Sequence, residues 1–177
     1  MKKLLTIALL ATGLISGMHA TAQEKAEDKS KRPSPPAKVS QKIKSGVAIT
    51  IDYSQPSLKG RTIGKDVEPM DGKVWRTGAN EATTFETDKE LNVAGNKLPA
   101  GKYGLFTIFN GDVVTVIFNK TWNQWGAFDY KDSVDVLRIN TKVTNVPEST
   151  EKMTFKIDNT GLITLLWGTK KVEFKVI

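Results

Sequence analysis

The chain has no cysteine, and its single histidine, His19, falls in the apolar stretch near the N-terminus. Beyond residue 22 there is therefore neither a thiol nor an imidazole. That excludes Ser-His-Asp and Cys-His nucleophile systems, which depend on an imidazole base. It also excludes zinc, copper and iron–sulfur sites that lean on imidazole and thiolate ligands. Disulfides are impossible, so a packed core has to carry the stability. Carboxylates alone could hold a hard cation, but no calcium-loop pattern of acidic residues leading to a glycine occurs. We therefore expect no metal and no cofactor. Two further absences concern architecture. No window repeats its apolar residues with a helical period between caps, and no internal sequence repeat is evident, which argues against bundles, propellers and solenoids.

What is present begins with a leader. Met1-Lys2-Lys3 is a short basic start, residues 4–18 are largely apolar, and Ala20-Thr21-Ala22 supplies small residues for cleavage. The apolar run is shorter than the roughly 20 residues a bilayer span requires. Residues 1–22 read as a signal peptide, and the expected location is periplasmic or secreted, with no integral membrane segment after cleavage. Removing 22 of the 177 residues leaves 155, enough for one domain with its own core. Residues 23–44 carry 7 basic and 3 acidic side chains, whereas residues 45–177 carry 17 and 16. A nucleic-acid partner would need basic charge clustered on a folded face, and this body is nearly neutral. No nucleic acid is expected.

Residues 23–37, "QEKAEDKSKRPSPPA", contain no large apolar side chain and read as a disordered, charged, proline-rich linker. From residue 38 the period is two. "GVAITIDY" sets Val47, Ile49, Ile51 and Tyr53 on one face. "KYGLFTIF" and "DVVTVIF" are apolar, β-branched and aromatic, and Asn110-Gly111 between them signals a hairpin. "KMTFKID" alternates Met153, Phe155 and Ile157, and "KKVEFKVI" alternates Val172, Phe174 and Val176. Strands punctuated by Gly, Asn and Pro point to an all-β domain over 38–177. The expected form is an antiparallel β-sandwich, Greek-key or jelly-roll-like, with a closed barrel as the alternative.

Three stretches depart from plain alternation. Residues 52–64 carry Lys59 and Arg61 in a Pro-Gly-punctuated loop. "KVWRTGANEATTF" sets Trp75, Arg76, Asn80 and Glu81 around one glycine. "FNKTWNQWGAFDY" follows a core strand with Asn119, Gln124 and Trp125 beside further aromatics. These nine residues form the candidate ligand-binding set. A guanidinium fork, an amide and a carboxylate suit an anionic or polyhydroxylated ligand, and indoles stack on sugar rings. The same residues would also serve as a bonded corner and a plug over the core. In either case an apolar neighbourhood calls for a partner to Glu81, and Arg61 or Arg76 is expected to supply it. Asn119-Lys120-Thr121 fits a glycosylation sequon, and Asp132-Ser133-Val134 resembles a periplasmic O-glycosylation signal at Ser133.

"YSQPSLKGR", "GKVWRTGANEAT", "LPAGKYGLFTI" and "VIFNK…QWGAFDY" occur in that order. With them the chain resembles the bacterial family known as domain of unknown function 2911 (DUF2911), from about residue 38 to the C-terminus. The resemblance implies an exported protein of signal peptide plus one β-rich domain, and no defined activity. It also shows a departure: "GKDVEPMDG" stands where the family carries a Gly-Gly-Leu-Val-Pro-Tyr-like linker.

Three function classes remain open. The first is a non-catalytic exported domain binding a glycan or another polar cell-envelope component. The second is a hydrolase free of His and Cys, glycosidase-like, with Glu81 paired to Asp129 or Asp52 as its two carboxylates. The third is an envelope protein–protein interaction module, which would expose an apolar patch or a free edge strand.

Overall fold

The computed structural model describes residues 27–177. The leader at 1–22 and the start of the spacer lie outside the described residues. Ten strands follow one another: β1 (Pro36–Lys42), β2 (Ala48–Ser54), β3 (Val74–Trp75), β4 (Thr84–Thr87), β5 (Leu91–Val93), β6 (Asn96–Leu98), β7 (Gly101–Asn110), β8 (Val113–Asn119), β9 (Asp135–Ile157) and β10 (Leu162–Lys175). The main sheet runs β1-β2-β4-β7-β8-β9-β10, with β3 added beside β7, and β5-β6 form a separate hairpin. Every pairing between named strands is antiparallel. The all-β antiparallel class expected from alternation is what the chain adopts. Its order is a meander rather than a Greek key or jelly roll, because each excursion returns to the neighbouring position in the sheet.

The sheet curls because β9 is long enough to serve two halves. Its first part pairs with β8 through Lys142, and from Val143 onward it pairs with β10. Register shifts at Gly168 turn the ribbon over, where φ is +58° and a Cβ would meet Ile63 Cδ1 at 2.7 Å. The end of β9 then returns to the far edge of the sheet and forms a seam beyond β2. There Ser57 bridges Lys152, and Leu58 and Met153 donate to Glu151 and Pro56 carbonyls. The curl is thus sandwich-like in cross-section, with the partial closure of a barrel.

Alternation dictates the core. Ile49, Ile51, Phe85, Leu105, Val116 and Phe118 face inward from one half, and Met153, Phe155, Ile163, Leu165 and Phe174 face them from the other. Edge-to-face aromatic pairs cross the interior, Tyr53–Phe155 at 5.1 Å and Phe118–Phe174 at 6.2 Å. The outer face of β7 and β8 is also apolar. Phe106 and Ile117 form a second small cluster, covered by Ala82, Ala127 and Tyr130. The loop at residues 120–131 therefore lies as a flap over the sheet.

Two sequence readings need adjustment. The hairpin joining β7 and β8 exists, but Asn110 pairs with Val113, so Gly111 and Asp112 are the central turn residues. Only Gly111 has a positive φ, which replaces the Asn-Gly turn by a glycine-first one. The second concerns the spacer. Residues 27–35 do not stand off as a linker but cross the domain surface as a strap, and β1 begins at Pro36, before residue 38. Composition suggested a tether because the strap has no large apolar side chain. Its anchorage is a set of ion pairs to Glu81 together with hydrogen bonds to the Ser34 and Pro35 carbonyls.

Candidate functional site

The loop from Val74 to Phe85 is shaped by uncommon backbone. Thr77 and Asn80 have φ of 53° and 55°, in the left-handed region where a β-branched residue is an outlier. Buried hydrogen bonds hold it. Thr77 Oγ1 meets Thr107 Oγ1 at 3.1 Å, and Thr83 Oγ1 donates to the Thr77 carbonyl at 2.8 Å. A Cβ at Gly78 would stand 2.8 Å from Thr83 Oγ1, so a glycine is needed for the close approach. The loop sends its polar side chains in different directions.

Trp75 goes inward. It is 2% exposed, its Nε1 donates to the Gly78 carbonyl at 3.0 Å, and it packs edge-on against Phe109. It is a core residue. Glu81 goes outward to the strap and not to Arg61 or Arg76 as expected. Arg32 Nη1 donates to both its carboxylate oxygens at 2.9 Å, and Lys29 Nζ donates to Oε1 at 2.7 Å. Partial burial opposes the charge of Glu81, but the hydrogen bonds from Lys29 and Arg32 outweigh it and hold the carboxyl at about 2. Arg32 also lies over Trp125, with its guanidinium carbon 5.6 Å from the ring centroid, and pairs with Glu27. Asn80 completes the corner. Its Nδ2 donates to the Ser34 carbonyl, and its own carbonyl accepts from the Gly126 amide, each at 2.9 Å.

The loop after β8 has a built interior. Asn119 is fully buried, with Nδ2 donating to the Lys131 carbonyl and Asp135 Oδ1 while Oδ1 accepts from the Thr121 amide. That leaves the sequon asparagine inaccessible. Gln124 donates to the Thr121 carbonyl and accepts from the Asp129 amide. Tyr130 closes the loop by donating to Asp135 at 2.7 Å. Burial, then the Asp135 hydrogen bond and charge, push its hydroxyl up to about 12.

An open groove of ≈ 290 Å³ runs between strap, sheet and flap, lined among others by Asp52, Ser54, Glu81, Thr84, Lys102 and Trp122. Lys102 Nζ stands 4.8 Å from the Trp122 ring centroid and 3.6 Å from Glu86. Asp52 pairs with Lys38 at 3.1 Å. Thr84 Oγ1 is buried without a hydrogen-bond partner among the described residues. A second, separate pocket of ≈ 150 Å³ is lined by Arg61, Arg76, Glu68 and Trp75 among others.

The nine candidate residues therefore do not converge. Glu81 and Gln124 reach the groove, and Arg61, Arg76 and the edge of Trp75 reach the small pocket. Lys59 is exposed with a φ of 49°, its amide donating to Glu151 Oε1. Trp125 is 52% exposed beneath Arg32. Asn80 and Asn119 are spent on backbone carbonyls and, for Asn119, on Asp135 as well. Sequence reasoning missed Lys102 and Trp122 as a unit, as well as Lys29, Arg32 and Thr84. Lys102 sits opposite Glu86 in the β4–β7 register, a cross-strand placement that only the pairing reveals.

Among the described residues no group of three or more acidic side chains could hold a metal, and no helix is long and apolar enough to cross a membrane. No curated protein and no solved structure matches the chain. The motifs that shape the corner, the groove and the flap all fall inside one match, to the family described as protein of unknown function DUF2911 over residues 34–176. The chain belongs to the DUF2911 family.

Proposed function

We propose that this protein is an exported, non-catalytic binding domain whose groove takes a polyhydroxylated ligand, a glycan or a similarly polar cell-envelope component. The observation that carries the reading is the lining. An exposed indole, Trp122, stands beside Lys102 and the carboxylates of Asp52 and Glu81. Sugar rings offer an apolar face for an indole and hydroxyls that donate to carboxylates. Export is supported by the basic start, apolar run and small residues of positions 1–22.

The hydrolase reading is the weaker one. A glycosidase needs one carboxyl that is protonated near neutral pH. Glu81 is held at about 2 by Lys29 and Arg32, and Asp52 is paired with Lys38. Asp129 does not line the groove. The interaction-module reading draws on Phe128, 83% exposed, with Trp125 on the same flap. Phe128→Ser would abolish a protein contact there while sparing glycan binding.

The test is affinity chromatography and calorimetry of the mature protein against soluble envelope polysaccharides and peptidoglycan fragments. Trp122→Ala should weaken binding about tenfold or more, the loss of one stacked aromatic, without lowering the melting temperature. Undiminished binding by Trp122→Ala, or no binding by the wild type, refutes the reading.

A further inference from the structure

The small pocket poses a separate problem, since it shares no lining residue with the groove. Arg76 borders it half-buried. Its Nε is shut off from solvent with no hydrogen-bond partner among the described residues. Burial lowers its pKa, and Glu68, the nearby carboxylate that favours its charge, forms no ion pair with it. Glu68 instead accepts from the Met70 amide at 2.6 Å. An arginine Nε–H shut off from water without an acceptor is costly, and folded chains rarely retain one unless something completes it.

Its neighbour is a second guanidinium. Arg61 donates through Nε to the Leu58 carbonyl at 3.0 Å and through Nη2 to the Ser57 carbonyl at 2.7 Å. Those two bonds fix its plane and leave Nη1 uncommitted. The backbone on both sides is constrained as well. Thr77 follows Arg76 directly with a φ of 53°, and Lys59 precedes Arg61 by two residues with a φ of 49°. Non-glycine residues held in that region cluster where a site has to be shaped.

We propose that the pocket between Arg61 and Arg76 is a binding site for a carboxylate group, with Arg76 as the main contact. The charge fits. Two guanidiniums against one Glu68 leave the lining at +1, matching a monoanion. The size fits too, since ≈ 150 Å³ accommodates a carboxylate with a short stem and no whole sugar or nucleotide. The donors fit best of all, because a guanidinium fork presents parallel N–H groups at the spacing of two carboxylate oxygens. The site would engage a free small carboxylate or a carboxylate pendant on a larger molecule, such as a uronate or a peptide C-terminus.

Arginine Nε–Hε NMR spectra of the full mature protein test this, with sodium acetate at constant ionic strength as the probe. The Arg76 Nε–H resonance should shift saturably with acetate and stay put with acetamide, which has the shape but not the charge. Arg61→Gln should weaken the acetate response about tenfold, the effect of one charge-assisted partner. Arg76→Gln should abolish it at the Arg61 signal, whereas Lys97→Gln, on the separate β5–β6 hairpin, should leave it unchanged. Glycyl peptides and glucuronate then distinguish free from pendant carboxylates. An unsaturable acetate shift, an equal response to acetamide, or saturation by inorganic phosphate in place of acetate overturns the proposal. Should Arg76→Gln fail to fold, the wild-type titration and Arg61→Gln decide the matter.

Discussion

Replacing Glu81 by glutamine keeps the shape of the side chain and removes its charge, so it isolates what the strap contacts contribute. Holding the carboxyl at about 2 against its ordinary 4.5 sets an upper bound of about 3.5 kcal/mol, at about 1.4 kcal/mol per pH unit. More than a third of the Glu81 side chain is open to solvent, at 37% exposure, so screening reduces this to about 1 kcal/mol. The sign follows from the direction. A carboxyl held low stabilises the folded state above 4.5, and that contribution disappears as pH falls from 4.5 towards 2. Urea melts of wild type and Glu81→Gln should therefore differ by about 1 kcal/mol at pH 7 and converge as the pH falls to about 2. Other carboxyls titrate in the same range, but they are common to both proteins and cancel in the difference. A gap that stayed constant from pH 7 to pH 2.5 would refute the ionic account of the clasp. A loss of 3–5 kcal/mol at pH 7 would instead mean a buried pair.

Deleting residues 27–34 removes Arg32, Lys29 and the carbonyl that receives Asn80, and should lower the melting temperature by roughly 2–8 °C. The deletion should also shift tryptophan fluorescence to the red as Trp125 loses its cover, and an unchanged melt and spectrum would show the strap to be idle. Gly161→Ala should cost about 3 kcal/mol or more, because φ is +85° and a Cβ would stand closer to the Val176 carbonyl oxygen than any contact allows. Full stability of that variant in denaturant melts would mean the C-terminal strand is free to move aside.

The fold class was legible because half-buried strands write their period into the chain. Ile49, Ile51, Met153, Phe155 and Val172 each alternate as the sheet requires and each is buried. Connectivity was not legible, since alternation says which face a residue takes and nothing about its neighbour strand. The candidate site was half legible. Arg61 and Arg76 do share a pocket, while Trp75 and Asn119 look equally functional in sequence and turn out to be bonded within the fold. Glu81 was read as needing Arg61 or Arg76 as its partner, and it has two others, Lys29 and Arg32, supplied by residues 27–35. Composition hid them, because a segment held by ion pairs has the charge content of a disordered one.

The order in which the chain can assemble follows from the length of β9. Its hairpin with β10 closes over a short turn between Ile157 and Ile163, and such local pairing forms within microseconds. The seam is different. Gln55 reaches the Met153 carbonyl across 98 positions, and Tyr53 reaches the Phe155 amide across 102. Loop-closure entropy opposes contacts of that span, and topologies that depend on them fold slowly. A hairpin formed first would wait with Met153, Phe155 and Leu165 uncovered and one edge unpaired, the condition in which chains associate. Substitutions at the seam should then reduce the yield of folded protein at high concentration more than they reduce the stability of the molecules that finish.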